Sequence, residues 1–185
     1  NFRHVTDCTQ PTAPAGATAS AISFRIERAP KIYDPSANTL AIWTATAGTV
    51  PNGNQPLALW RDRIATGGGL EAPHLWYLSK QGDAYNWDNT ATGVTRAITG
   101  TQAEAGRLGE PLKALIPHAD DCLIFGCAHS LWIMRGDPAM GGQLLNLSRS
   151  IGIVDKTAWC YTPEGFLFFL SLDGLYMMPP GCGST

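Results

Sequence analysis

Four histidines, His4, His74, His118 and His129, are the candidate general bases of the chain, and nucleophilic catalysis would need one of them beside a Ser or Cys. No G-x-S-x-G elbow accompanies them. Acid–base work by paired carboxylates is the second possible chemistry, with Asp83, Asp88, Glu110, Asp120, Asp121 and Asp137 as candidates. All of these stand among turn residues, where an Asp bonds its own backbone, so a turn role outweighs catalysis. The run Gly67-Gly68-Gly69 lacks the Lys-Ser/Thr of a phosphate loop, and no helix pattern follows it. Cys122 and Cys127 form a C-x4-C pair, but an odd separation along an extended segment sends the two thiols to opposite faces, which argues against zinc. No catalytic residue, cofactor or metal site is expected.

The elements that would position these residues are short strands. In Pro111–Pro138 the apolar runs Lys113–Ile116, Cys122–Phe125 and Leu131–Met134 are too short for helices and are bounded by Pro, Asp and Gly, which predicts a three-strand meander. The same order returns in Pro56–Asp83, where His74, Trp76, Gly82 and Asp83 match His129, Trp132, Gly136 and Asp137. A third copy spans Ala158–Pro179, with turns at Glu164-Gly165 and Asp173-Gly174. Further strands are expected at Ile22–Ile26, Lys31–Tyr33 and Leu40–Trp43, and a fourth-strand stretch within Gln143–Asp155. Tyr85–Glu110 reads as a long insert with one helical turn at Gln102–Leu108.

A self-similar antiparallel unit of roughly 40 to 50 residues is the pattern of a β-propeller blade. A sandwich would repeat turn signals, but not a whole strand-turn-strand-turn-Trp-Gly-Asp order. The expected fold is therefore all-β: a propeller-like array of antiparallel meander blades, incomplete or open. Residues 1–20 read as an extended arm or linker, and 21–185 as one domain of about four blade-like units. Gly82, Asp83, Gly136, Asp137, Asp173 and Gly174 are its structural turns. Trp76, Trp132 and Trp159 are its expected core between blades, and with Trp43, Trp60 and Trp87 they would form a sugar platform only if several lay exposed together. Gly136→Val is expected to destabilise more than Asp137→Ala, which loses a turn hydrogen bond of about 1 kcal/mol.

Charged residues make up 15% of the chain and balance to −2, so no electrostatic footprint for nucleic acid exists. No apolar run approaches the ~18 residues of a membrane span, and the opening NFRHVTDCTQ is no signal peptide, so the chain reads as a fragment or processed piece. The five cysteines, an odd count, sit mainly in strand contexts; a disulfide scaffold is not expected in a core this large, and free thiols point to assembly in a reducing compartment.

The combination LIFGCAHSLWIMRGDPAMGG, NLSRSIGIVDKTAW and PEGFLFFLSLDGLYMM resembles the propeller-type repeats of bacteriophage tail proteins, the nozzle-type tubular tail proteins and the DNA-retaining plug proteins of short-tailed phages. The resemblance covers roughly Tyr33 to Met178. It implies a virion structural role without catalytic residues, in a homo-oligomeric ring with other tail subunits. It also implies transient passage of DNA without sequence-specific binding, and location in the virion tail after assembly in the host cytoplasm. The chain departs from such folds in holding only about four units. The alternative is a glycan-binding or glycan-processing propeller of an extracellular protein; Ser171-Leu172-Asp173-Gly174 is close to the Asp-box turn of sialidase-like propellers, but its Gly comes one place early and the Trp is missing. A lumen for DNA should avoid side chains that grip phosphate, and the low charge favours the first reading.

Overall fold

The computed structural model describes residues 29–100 and 106–181. The expected arm 1–20, the strand Ile22–Ile26 and the first part of the turn Gln102–Leu108 lie outside the described residues, and 106–108 form no helix. The described chain is all-β, with one 3-10 turn at Pro138–Met140. A hairpin comes first, β1 (Lys31–Asp34) with β2 (Thr39–Ile42), closed by Asp34, whose Oδ1 accepts from the Ser36 N–H at 2.9 Å. The short β3 (Ala47–Gly48) pairs in parallel with β7 (Asn86–Trp87).

Three meanders follow. The first sheet is β4 (Leu57–Trp60), β5 (Arg63–Gly67), β6 (Trp76–Leu78) and β8 (Ile98–Thr99). The second is β9 (Leu112–Ala119), β10 (Cys122–Cys127), β11 (Leu131–Arg135) and β12 (Gln143–Ser148), and the third is β13 (Trp159–Tyr161), β14 (Leu167–Ser171) and β15 (Gly174–Met178). The internal repeat has a physical counterpart in one recurring hydrogen bond. Gly82 N–H donates to Asp62 C=O at 2.8 Å in the first sheet, and Gly136 N–H donates to Asp121 C=O at 3.0 Å in the second. Each tethers a glycine beyond the Trp strand to the turn between the first two strands of its sheet, and both glycines take the left-handed conformation, at φ 73 and 72°.

The second sheet is covered on both faces. Alternation sends Leu123, Phe125, Cys127 and Met134 toward the first sheet, where they pack with Trp60, Ala65, Trp76 and Leu78. It sends Ala114, Ile116, Ile124, Leu131 and Ile133 the other way, against Leu167 and Phe169 of the third sheet. At Gly126 a Cβ would stand 2.7 Å from Ile153 Cδ1, so the absent side chain makes room for Ile153 to plug the second core. The initial strands also run against one another: Trp60 Nε1 donates to Ala119 C=O at 3.0 Å, and Tyr161 Oη donates to Pro117 C=O at 3.1 Å. No described sheet closes into a barrel, and the sheets do not close into a ring.

Sequence reasoning misses two features of this stack. The supposed insert Tyr85–Glu110 contributes β7 and the edge strand β8, so the first sheet is completed from within it. Cys122 is disulfide-bonded, which corrects the expectation of free thiols at that position; Cys127 and Cys160 are free.

The first two sheets are also joined by a buried ion pair. Arg63 Nε donates to Asp137 Oδ2 at 3.0 Å, and both side chains are almost wholly withdrawn from solvent. Arg63 Nη1 donates to Ser79 C=O at 2.8 Å and Arg96 C=O at 2.6 Å, while Nη2 donates to Val94 C=O at 3.3 Å. Asp137 Oδ1 accepts from Ala139 N–H at 2.8 Å and so caps the 3-10 turn as well. Burial lowers the pKa of Arg63, and Asp137 opposes that shift.

This geometry reverses the order of cost read from sequence. Asp137→Ala strands a buried guanidinium and is expected to lose about 3–5 kcal/mol. A Cβ at Gly136 would meet nothing closer than Gly142 Cα at 3.6 Å, so the loss expected for Gly136→Val is chiefly the strain of a β-branched residue at φ 72°, about 1–3 kcal/mol. Urea denaturation of the two variants checks the order, and a smaller loss for Asp137→Ala would remove the ion pair from its central place.

Candidate assembly interface

The third sheet has an outer face without a polar residue. Register places Cys160, Phe168 and Met177 in one cross-strand row and Leu170 with Leu175 in the next. The opposite phase, with Trp159, Leu167, Phe169, Tyr176 and Met178, packs on the second sheet. Leu170, Leu175 and Met177 are 46, 68 and 57% exposed. An antiparallel sheet with one solvated face normally alternates apolar and polar side chains, and β14, with sequence LFFLS, has the composition of a strand buried on both faces.

At the other end of the stack, Leu57 and Leu59 point away from the phase of Ala58 and Trp60 and are exposed. A third exposed apolar site follows from unequal strand numbers. Leu145 pairs with Ile133, so it and Leu147 lie on the face of the second sheet that looks toward the third, yet both remain exposed. Among the described residues the third sheet has three strands where the first and second have four.

The sequence-marked turn residues are not gathered into one site. Gly82-Asp83 and Gly136-Asp137 follow the third strands of their sheets, whereas the β14–β15 turn is Leu172-Asp173, one place earlier than expected, and Gly174 is already the first residue of β15, paired with Ser171. Asp83 Oδ1 accepts from Tyr85 N–H at 3.0 Å, and Asp173 Oδ2 accepts from Tyr176 Oη at 2.7 Å. That hydroxyl lowers the pKa of Asp173. Of the tryptophans, Trp76 is wholly buried and edge-on to Phe125 at 5.3 Å, whereas Trp132 and Trp159 are half-buried against the two cores. Trp60 and Trp87 are buried too, and Trp43 meets Trp87 edge-on at 5.8 Å. They do not make one exposed platform.

A cleft of about 440 Å³ lies between the β3–β7 ribbon and the first sheet, with Asn52, Tyr77, Trp87, Asp88, Asn89 and Thr90 among its lining residues. Asp88 Oδ1 accepts from the Thr90 hydroxyl at 2.6 Å and its N–H at 2.9 Å, and these bonds hold its pKa below the ordinary value. Burial raises that of Tyr77. His74 is exposed, and His129 stands 3.6 Å from Glu110 Oε2. Burial pushes the Cys127 thiol up to about 11, which makes it a poor nucleophile. Among the described residues no group of three or more His, Cys, Asp or Glu could hold a metal, and no helix is long and apolar enough to cross a membrane. His4 lies outside the described residues.

His118 joins the second and third sheets. Its Nε2 faces Pro179 C=O at 2.9 Å and Gly181 C=O at 3.2 Å. Its Nδ1 meets Tyr161 Oη at 3.0 Å, and the two rings stack at 5.8 Å. Sequence reasoning placed neither Tyr161 nor Arg63 at a junction. For Arg63 the signal was available: it shares the inward phase of β5 with Ala65 and Gly67, where an unpaired charge is untenable.

No protein-family model matches the chain. A comparison with curated proteins likewise finds no match.

Desolvation pushes Tyr161 up to about 12 from the ordinary 10.0. A raised folded pKa gives stability that is complete below about pH 10 and is lost as pH rises toward about 12. Tyr161→Phe should flatten that alkaline slope and remove a late step from the phenolate absorbance titration. A titration unchanged by the substitution would show that Tyr161 ionises with the other tyrosines.

Proposed function

We propose that this chain is a structural assembly module, a component of a phage virion tail that joins other subunits to form or support the channel through which DNA passes. The observation that carries the reading is the outer face of the third sheet, where Cys160, Phe168, Leu170, Leu175 and Met177 present apolar surface without charge. Such a face suits contact with further polypeptide rather than with phosphate or water. Stacked meanders whose initial strands adjoin support the finer reading of the fold as an open array of propeller blades. The sequence resemblance to phage tail repeats supplies the setting, and passage of DNA without sequence-specific grip is in keeping with the net charge of −2.

One observation favours a second reading, glycan binding. The cleft between the β3–β7 ribbon and the first sheet combines Tyr77 with the polar Asp88, Asn89 and Thr90, a mixture suited to sugar hydroxyls.

Antibody labelling of purified particles under the electron microscope should place the chain in the tail, and its absence from the particle would refute the virion reading. A glycan array run on the same protein separates the alternatives. The assembly reading expects no saturable binding, whereas binding abolished by Tyr77→Ala would establish the second.

A further inference from the structure

We infer that the third sheet takes its fourth strand from a second copy of this chain, which adds its β2 strand to the free edge of β15. The inference rests on the assembly reading and names the partner and the surfaces.

The acceptor is a strand-sized slot. In the first and second sheets the fourth strands, β8 and β12, come from the chain itself, but among the described residues β15 pairs with β14 alone. Leu145 and Leu147 lie uncovered on the facing side of the second sheet, at the end away from the cover given by β13 and β14. A strand laid along β15 would pair with its open backbone groups and cover these two leucines. The new core would continue the one that Ile133 and Leu167 already share.

The donor is the β1–β2 ribbon. It is a two-stranded sheet with almost every residue exposed, and a ribbon of that kind is marginal in water without a further strand. Register puts Tyr33, Leu40 and Ile42 on one face with Lys31. The charges, Lys31 and Asp34, both belong to β1, while β2 has the sequence TLAI and β15 the sequence GLYMM. The neutral edge of the ribbon therefore matches the neutral edge of the slot.

Within one copy the two do not meet, because the ribbon packs on the β3–β7 pair through Trp43 against Trp87 and shares a cleft with Leu57 and Thr66 of the first sheet, while the third sheet lies beyond the second. Between copies the contact is head-to-tail, which builds a ring where the rotation closes and a filament where it does not. The side chains that would face one another across this contact, Tyr33, Leu40, Ile42, Leu145 and Leu147, are each 40 to 63% exposed. At about 100 Å² per side chain they offer on the order of 500 Å² of apolar surface, and the backbone pairing of the two edges adds to it, toward the ~1,200 Å² of total surface at which specific interfaces begin.

Sedimentation of the full chain tests this with two charge substitutions at exposed positions, Leu40→Glu on the donor and Leu147→Glu on the acceptor. Dilute thermal melts, expected to be unchanged, verify that both variants fold. The wild-type mass should rise with concentration, and each variant alone should associate at least about tenfold more weakly. An equimolar mixture should form dimers and stop there, since one sound donor meets one sound acceptor. Loss with Leu147→Glu but not with Leu40→Glu would mean that another strand fills the slot, and would overturn the inference. Wild-type association indifferent to both variants would also overturn it and leave the assembly reading standing. A wild-type chain monomeric at on the order of 100 μM would count against both.

Discussion

All six residues of β10, Cys122–Cys127, are buried, and strand alternation sends them in turn to opposite sides of the second sheet. A strand with no polar phase must be covered twice, and that requirement organises the rest of the molecule. The first sheet covers Leu123, Phe125 and Cys127, and the third covers Cys122 and Ile124. Each buried aliphatic side chain contributes about 1.5–3 kcal/mol. Those contributions can be realised only when both neighbours are in place. The covering sheets then meet the same requirement in weaker form, because β14 repeats the apolar composition of β10 with only one face satisfied.

Apolar faces alone leave two sheets free to slide, and the Arg63–Asp137 pair removes that freedom. The guanidinium is held by one carboxylate and by carbonyls from Ser79, Val94 and Arg96, so its position is fixed from several directions. The carboxylate is fixed in turn by the Ala139 N–H of the 3-10 turn. Placing two charges in a dry interior costs several kcal/mol per ion, and the pair is tolerable only because nearly every donor and acceptor is used. The pair adds little net attraction, then, but it penalises any other packing of the first sheet on the second. The segment Val94–Arg96 is drawn in by the same guanidinium, and β8 begins just after it. This explains how a stretch with weak strand propensity delivers the edge strand of the first sheet.

What could be read from the sequence followed from local signals. Hairpins with Asp and Gly turns, the Trp-Gly-Asp order and the β9–β12 meander are determined by residues within a few positions of one another, and they lie where the pattern puts them, to within a few residues. The features that were not legible depend on residues far apart in the chain. β8 is two residues long and carries no alternation of its own; it is a strand because β6 and Arg63 hold it. Asp137 looked like an ordinary turn aspartate because its partner lies 74 residues away. The bond at Cys122 was hidden by an odd cysteine count. The exposed Leu145 and Leu147 were equally invisible, since what uncovers them is the number of strands in a different sheet.

Edges show where the stack is unfinished. Sheets usually protect an open edge with Lys, a proline, a bulge or very short strands. β8 is short, and the β11–β12 pair carries a register shift. β15 has none of these within its five residues: its register with β14 is unbroken and it contains no charge. An edge of that kind invites indiscriminate pairing unless its length is limited from outside. Here the Leu172-Asp173 turn bounds it at one end and Pro179-Pro180 at the other, since proline offers no N–H to extend a ladder. An incoming strand can therefore pair over only a few residues. A partner that slipped by one position would turn its inward side chains away from Leu145 and Leu147. The edge is open, but the two leucines beneath it and the prolines beyond it restrict which strand, and in which register, can close it.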